Sequence, residues 1–171
     1  MVATDLTQLE RATVAWDGKS HDAIVEVYNR YGADPPFVQS VLQLISRTEC
    51  QPGATWLLKA WVQAGGRLNQ QDTSQLVDAL GALTGWQAKL HILQCLPFVV
   101  FDASHKQPVA AFLRSNLTEA NAFVRAWSYG GFVELARQHP DYQMEVERLV
   151  TLAMRDESAA VKARLRNALK H

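Results

Sequence analysis

Apolar residues return along this chain at three- and four-residue spacing, and every twelve to eighteen residues a glycine, a proline or a capping residue interrupts them. That is the rhythm of short amphipathic helices joined by tight turns, and no segment keeps the two-residue alternation of a convincing strand. The pattern predicts a first helix near Leu6–Trp16, then one capped by Ser20 that runs to about Arg30 with Gly32 just past its end. Asp34-Pro35-Pro36 starts a helix from Phe37 to about Arg47, since proline suits a first helical turn. Further helices are predicted from Pro52 to Gln63 before Gly65-Gly66, from Asp72 or Thr73 to Gly85, and from Trp86 to Leu96 against Pro97. Ser104 caps the next. A long helix spans Ala120 to Gln138, Asp141 starts another, and Ser158 starts the last, for about ten helices in five pairs.

The second helices of the last four pairs share one pattern. Their first core position is Gly53, Ala88, Val124 and Val161, and four residues on stand Leu57, Ile92, Ser128 and Leu165. Seven and eight residues on come the doublets Ala60-Trp61, Cys95-Leu96, Gly131-Phe132 and Ala168-Leu169. These positions share one stripe of a helix, so Leu96, Phe132 and Leu169 are predicted to be equivalent core residues. The last position recurs at intervals of 35, 36 and 37 residues, a period expected of stacked helical hairpins.

Phe123-Val124-Arg125-Ala126-Trp127 and Ala160-Val161-Lys162-Ala163-Arg164, each followed by a small-large doublet, resemble the second helix of a HEAT repeat. In that family a basic residue follows the valine, and an acidic one often precedes it in the turn. Glu119 and Asp156 stand six residues before Arg125 and Lys162; Lys89 keeps the basic position but Leu83 takes the acidic one, and the Gly53 repeat has Ala54 and Thr48. The resemblance covers roughly residues 35–171. It implies an all-α fold, a short right-handed α-solenoid of about five antiparallel helical hairpins in a single domain over 1–171, with 1–34 as a non-standard N-terminal helical pair.

Composition narrows the function classes. Seventeen basic and seventeen acidic residues cancel, whereas coating nucleic acid or an anionic membrane calls for a positive excess. Charge is only mildly uneven: residues 1–85 hold six Lys/Arg against nine Asp/Glu, and residues 86–171 eleven against eight. The start has no basic region leading into an apolar core, and the longest apolar stretch, near Ile92–Phe101, is too short to span a bilayer. Cys50 and Cys95 fall in unrelated contexts, as reduced thiols do, so a cytoplasmic protein is expected.

Candidate chemistry is sparse. Gly18-Lys19-Ser20 echoes the end of a phosphate-binding loop, but Thr13 stands where that loop needs glycine, and a turn with an N-cap explains it. Trp127-Ser128-Tyr129-Gly130 resembles a nucleophile elbow, yet Ser128 falls inside a helix at a core position. None of His21, His91, His105, His139 and His171 has a second ligand at metal spacing, so neither a catalytic residue, a metal site nor a cofactor is predicted. Lys89, Arg125 and Lys162 form a cationic ladder, each explained by a brace to the preceding turn or by an anion track. Two residues after that position stand Trp56, His91, Trp127 and Arg164. Leu58, Val62, Leu90, Leu93, Tyr129 and Val133 fall on the side expected to face outward, either packed between repeats or lining an apolar groove.

Folds of this kind mostly offer curved binding surfaces, so the resemblance implies a non-enzymatic protein-interaction or scaffold module. The candidate partner-binding residues are Trp56, Lys89, His91, Arg125, Trp127 and Tyr129, with a protein partner or a second copy as occupant. The alternative is a nucleic-acid-binding protein related to the HEAT-like DNA alkylation-repair glycosylases, since cations interleaved with Trp and Tyr suit phosphates and unstacked bases. Neutral charge and the lack of a matching catalytic motif weigh against it. Bilin-lyase-like HEAT proteins share only the repeat.

Overall fold

The computed structural model describes residues 6–170, all helix and turn, with no strand among them. None of the helices is long and apolar enough to cross a membrane. The packing gathers into two compact units, Met1–Phe98 and Val99–His171.

The first unit holds α1 (Leu6–Ala15), α2 (His21–Tyr31), α3 (Phe37–Ile45), α4 (Gln51–Gln63), α5 (Gln70–Ala79) and α6 (Trp86–Cys95). Ser20, extended at φ −69° and ψ 100°, caps α2 through its hydroxyl, which accepts the Ala23 N–H. The start of α5 departs from the sequence reading. Asn69, not Asp72 or Thr73, is the cap: its side chain accepts the Asp72 N–H while Asp72 reaches back to the Asn69 N–H. Asp72 is therefore the third residue of a capping box, whose two ends satisfy each other. Helix α4 is central, packing against α1, α2, α3 and α6. Gly53 lets α1 come close, for a Cβ there would lie 3.0 Å from Thr13 backbone atoms. Gly65, at φ +102°, turns the chain out of α4 in a conformation that side chains disfavour.

The second unit holds α7 (Lys106–Asn116), α8 (Ala122–Gln138), α9 (Gln143–Asp156) and α10 (Ala159–Lys170). Helix α8 packs against the other three. It buries Val124, Ala126, Ser128, Gly131, Phe132, Val133, Leu135 and Ala136, which surround its axis, as a helix enclosed on several sides must. Asn121 caps it, accepting the Phe123 and Val124 N–H groups. Ser104 is not the cap of α7; Asp102 accepts the N–H groups of Ser104 and His105, and the helix begins at Lys106. Asp141 lies in a short 3-10 turn, Pro140–Tyr142, before α9.

The predicted core positions are mostly buried. Leu96 and Phe132 are each 1% exposed, but Leu169 is 47% exposed and is no core residue. It sits in the last turn of α10, on a side that no described residue covers. Of the six apolar residues expected to face outward, Leu58 and Leu93 are 0% exposed, Val62 1% and Val133 7%, whereas Leu90 and Tyr129 are half-buried. Packing between helices covers the four buried ones, the first of the two alternatives their position offered.

Polar contacts between helices recur at a narrow range of separations. Gln51–Ala82 and Arg114–Glu145 span 31 residues, Arg125–Glu157 spans 32, Gln39–Asp72 spans 33, and Lys106–Asp141 spans 35. Thr55–His91 spans 36, Phe101–Gln138 spans 37 and Gln138–Val99 spans 39. Tyr31–Gln8, at 23, and Gln87–Gly18, at 69, fall outside this range.

Candidate functional site

In the first unit Trp56 comes from the middle of α4, where the core stripe begins to turn outward, and it is half-buried. The Trp16 ring lies 6.4 Å away at 58°, His21 stands edge-on at 5.8 Å, and the Lys59 ammonium, one turn further along α4, sits 5.3 Å from the ring centre. Trp16 is held in place by its indole N–H, which donates to the Ser20 carbonyl at 2.8 Å. Burial pushes the Lys59 ammonium below its ordinary pKa, and among the described residues no carboxylate compensates it.

His91, on α6, is buried. The Thr55 hydroxyl donates to the Gln51 carbonyl at 2.7 Å, so the proton in the 3.0 Å contact between Thr55 and His91 belongs on His91 Nδ1. Burial, and then the Lys59 charge, push the imidazole pKa down to about 3 despite the Pro52 carbonyl, so His91 is neutral at physiological pH. Cys95 is pushed up to about 12 by burial and remains a thiol that donates to the His91 carbonyl. His91 is thus a packed, neutral hydrogen-bonding residue. Lys89 lies on the same helix, half-buried.

In the second unit Arg125, near the start of α8, is occupied on every side of its fork. It donates to both Glu157 carboxylate oxygens, at 2.9 and 3.2 Å, and to the Glu119 and Ala120 carbonyls, at 2.8 and 3.0 Å. Glu157 accordingly lies below the ordinary carboxylate range. The brace to the preceding turn therefore runs through backbone carbonyls, and the acid comes from the turn before α10. Lys162 braces likewise, donating to the Arg155 carbonyl at 3.3 Å. Tyr129 is half-buried, its hydroxyl pKa raised by burial and then by the Glu157 charge.

Trp127, two residues beyond Arg125, is half-buried under the Arg164 guanidinium, whose carbon lies 3.7 Å from the ring centroid. Arg164 Nε is buried without a hydrogen-bond partner. Burial lowers the Arg164 pKa, and no acid opposes it.

The six candidate residues thus fall three to each unit. Folding adds neighbours that the sequence reading did not place with them: Trp16, His21 and Lys59 around Trp56, Glu157 on Arg125, and Arg164 on Trp127. Two were within reach, Lys59 as the i+3 neighbour of Trp56 on one helix face, and Arg164 as the residue at Trp127's own ladder position one repeat later. Trp16, His21 and Glu157 come from turns and helices with no local spacing to announce them.

Elsewhere, Glu10, Glu49 and Cys50 offer ligand atoms within 4.8 Å of one another, though Arg47 pairs with Glu10 and the Cys50 thiol is buried and raised in pKa by that burial. A groove of about 400 Å³ lies between α1 and α2, with Arg11, Glu26 and Tyr31 in its walls, and another of about 460 Å³ lies along α9 at Met144, Arg148 and Leu152. Stacking and charge are what the two tryptophan clusters offer a ligand. Compared with family models, curated proteins and solved structures, the chain matches none of them.

Proposed function

We propose that this chain is a HEAT-like helical-repeat protein that binds a protein partner on its inner helices, α4 and α6 in one unit and α8 and α10 in the other. Two features support the repeat reading. Inter-helix polar contacts cluster at separations of 31 to 39 residues. Alternate helices pack on each other as well, α3 on α5, α4 on α6 and α8 on α10, which is how hairpins of roughly that length stack.

The observation that carries the binding function is the state of Trp56 and Trp127. At the same repeat position, both stay half-exposed beneath a cation that no acid compensates. Aromatic rings with a charged rim are the usual anchors of protein interfaces. A nucleic-acid reading draws less support, because Glu157 neutralises Arg125 and the net charge is zero.

The test is affinity capture with the wild type and with Trp127→Ala/Tyr129→Ala. Each aromatic anchor contributes at least about 2 kcal/mol at such sites, so the double variant loses the partner while keeping its helical circular dichroism. A variant that retains the partner refutes this surface. Binding to nucleic acid that collapses with rising salt, and in Lys89→Glu/Arg125→Glu, refutes the protein-partner reading.

A further inference from the structure

We propose that Arg164, set over the Trp127 ring, is a receptor for the carboxylate of an acidic peptide segment, which accepts two hydrogen bonds from one edge of its fork. The assignment rests on the reading of residues 99–171 as part of a protein-binding module, and it names the chemistry of the partner.

Three other guanidinium groups of the same unit are each matched by an acid. Arg125, half-buried like Arg164, has both Glu157 oxygens and two carbonyls. Arg114 holds both oxygens of Glu145 at 2.7 Å, and Arg155 holds those of Asp156. Arg164 alone of these four has no such partner among the described residues; its Nε is buried with nothing to donate to. Leaving a donor of a charged group desolvated and unpaired is costly. Its pKa is lowered by burial with no opposing cause, as an uncompensated cation's should be.

Geometry names the missing partner. With the guanidinium carbon 3.7 Å from the Trp127 centroid, the ring covers one side of the ion and limits its rotation. The N–H groups lie in the guanidinium plane, so a planar carboxylate approaching edge-on accepts two parallel hydrogen bonds. A carboxylate matches the single positive charge of Arg164 one for one.

The test uses the full chain labelled with nitrogen-15. The probe is a blocked peptide of alternating glycine and glutamate, followed through the Arg164 Nε–H resonance, which is assigned by its loss in Arg164→Lys. A saturable shift in roughly the millimolar range is expected, since one bidentate pair supplies most of the affinity. Arg164→Lys keeps the charge but loses the fork, and should weaken binding at least about tenfold, read from backbone amide shifts around Trp127. Arg166→Gln, which removes an exposed cation from the same helix, should leave affinity within about twofold. Arg164→Met keeps an apolar stem on Trp127 without the charge, so its Tm should hold or rise, as expected where a charge is kept for binding rather than stability.

Absence of a saturable shift overturns the proposal. So does an equal loss in Arg166→Gln, which would mean diffuse attraction, and so does tighter binding of inorganic phosphate or a single-stranded oligonucleotide. A fall in the Arg164→Met Tm with no carboxylate binding makes Arg164 a packing bracket. Carboxylate binding that survives while Trp127→Ala/Tyr129→Ala still captures its protein partner would refute the proposed interface and leave the receptor standing.

Discussion

His91 carries an imidazole, the side chain most suited to chemistry near neutral pH, yet its surroundings remove that capacity. With its pKa pushed down to about 3, it stays neutral in the folded protein while the unfolded chain takes a proton near the ordinary 6.5. Between those values the unfolded state binds the extra proton. This residue's contribution to stability is therefore complete above about pH 6.5 and is lost as pH falls towards 3, by at most about 1.4 kcal/mol per pH unit. Carbon-13 shifts of the His91 ring should remain those of the neutral form at pH 5, and a protonated ring at that pH would refute its burial. The contrast between Phe132 and Leu169 belongs to the same scale. Both occupy one position of the sequence pattern, but Phe132 is enclosed and Leu169 is half in solvent. Phe132→Ala should cost about 3–5 kcal/mol, and Leu169→Ala less than about 0.5, both read from urea unfolding.

Helix ends and crossings set the next scale. The start of α5 depends on Asn69 and Asp72 satisfying each other's backbone N–H groups, so Asn69→Ala should cost about 1 kcal/mol by denaturant unfolding. The crossing of α1 over α4 depends on Gly53, where a Cβ would meet Thr13 backbone at 3.0 Å. Gly81 offers the comparison, since nothing lies within 4 Å of a Cβ there. Gly53→Ala should lower Tm because two backbones must separate, whereas Gly81→Ala should leave it unchanged or raise it slightly by restricting the unfolded chain. Equal effects at the two sites would mean that the crossing tolerates a methyl group.

At the scale of the whole molecule, each compact unit has a core of its own. In the first, Leu9, Ile24, Leu44, Leu57 and Ile92 are all 0% exposed and come from α1, α2, α3, α4 and α6. A fragment of residues 1–98 should therefore keep strong helical circular dichroism and melt cooperatively. A broad, non-cooperative melt would show that this core is not self-sufficient. The candidate site was legible only in part at this scale. Periodicity marked the positions of Trp56, His91, Trp127 and Arg164, because each stands three residues past the first position of a buried helical stripe. It could not tell that the ladder would yield a buried neutral imidazole at one position and cation-covered indoles at two others.

The sequence by itself determined the helices, most of their ends and the stripe that would be buried. Those depend on spacing along one helix and on caps within a few residues, which are local physics. Tertiary packing decided the rest. Local spacing puts Leu58, Val62 and Leu93 on an outward side, yet they are buried, because what covers a helix flank is a neighbour whose position no local pattern records. The same holds for charge: spacing offers Glu119 as the acid for Arg125, but Glu157 from the turn before α10 accepts from its fork. An ion pair between distant segments follows from the crossing of two helices, and a crossing is a property of the packed structure, not of either segment alone.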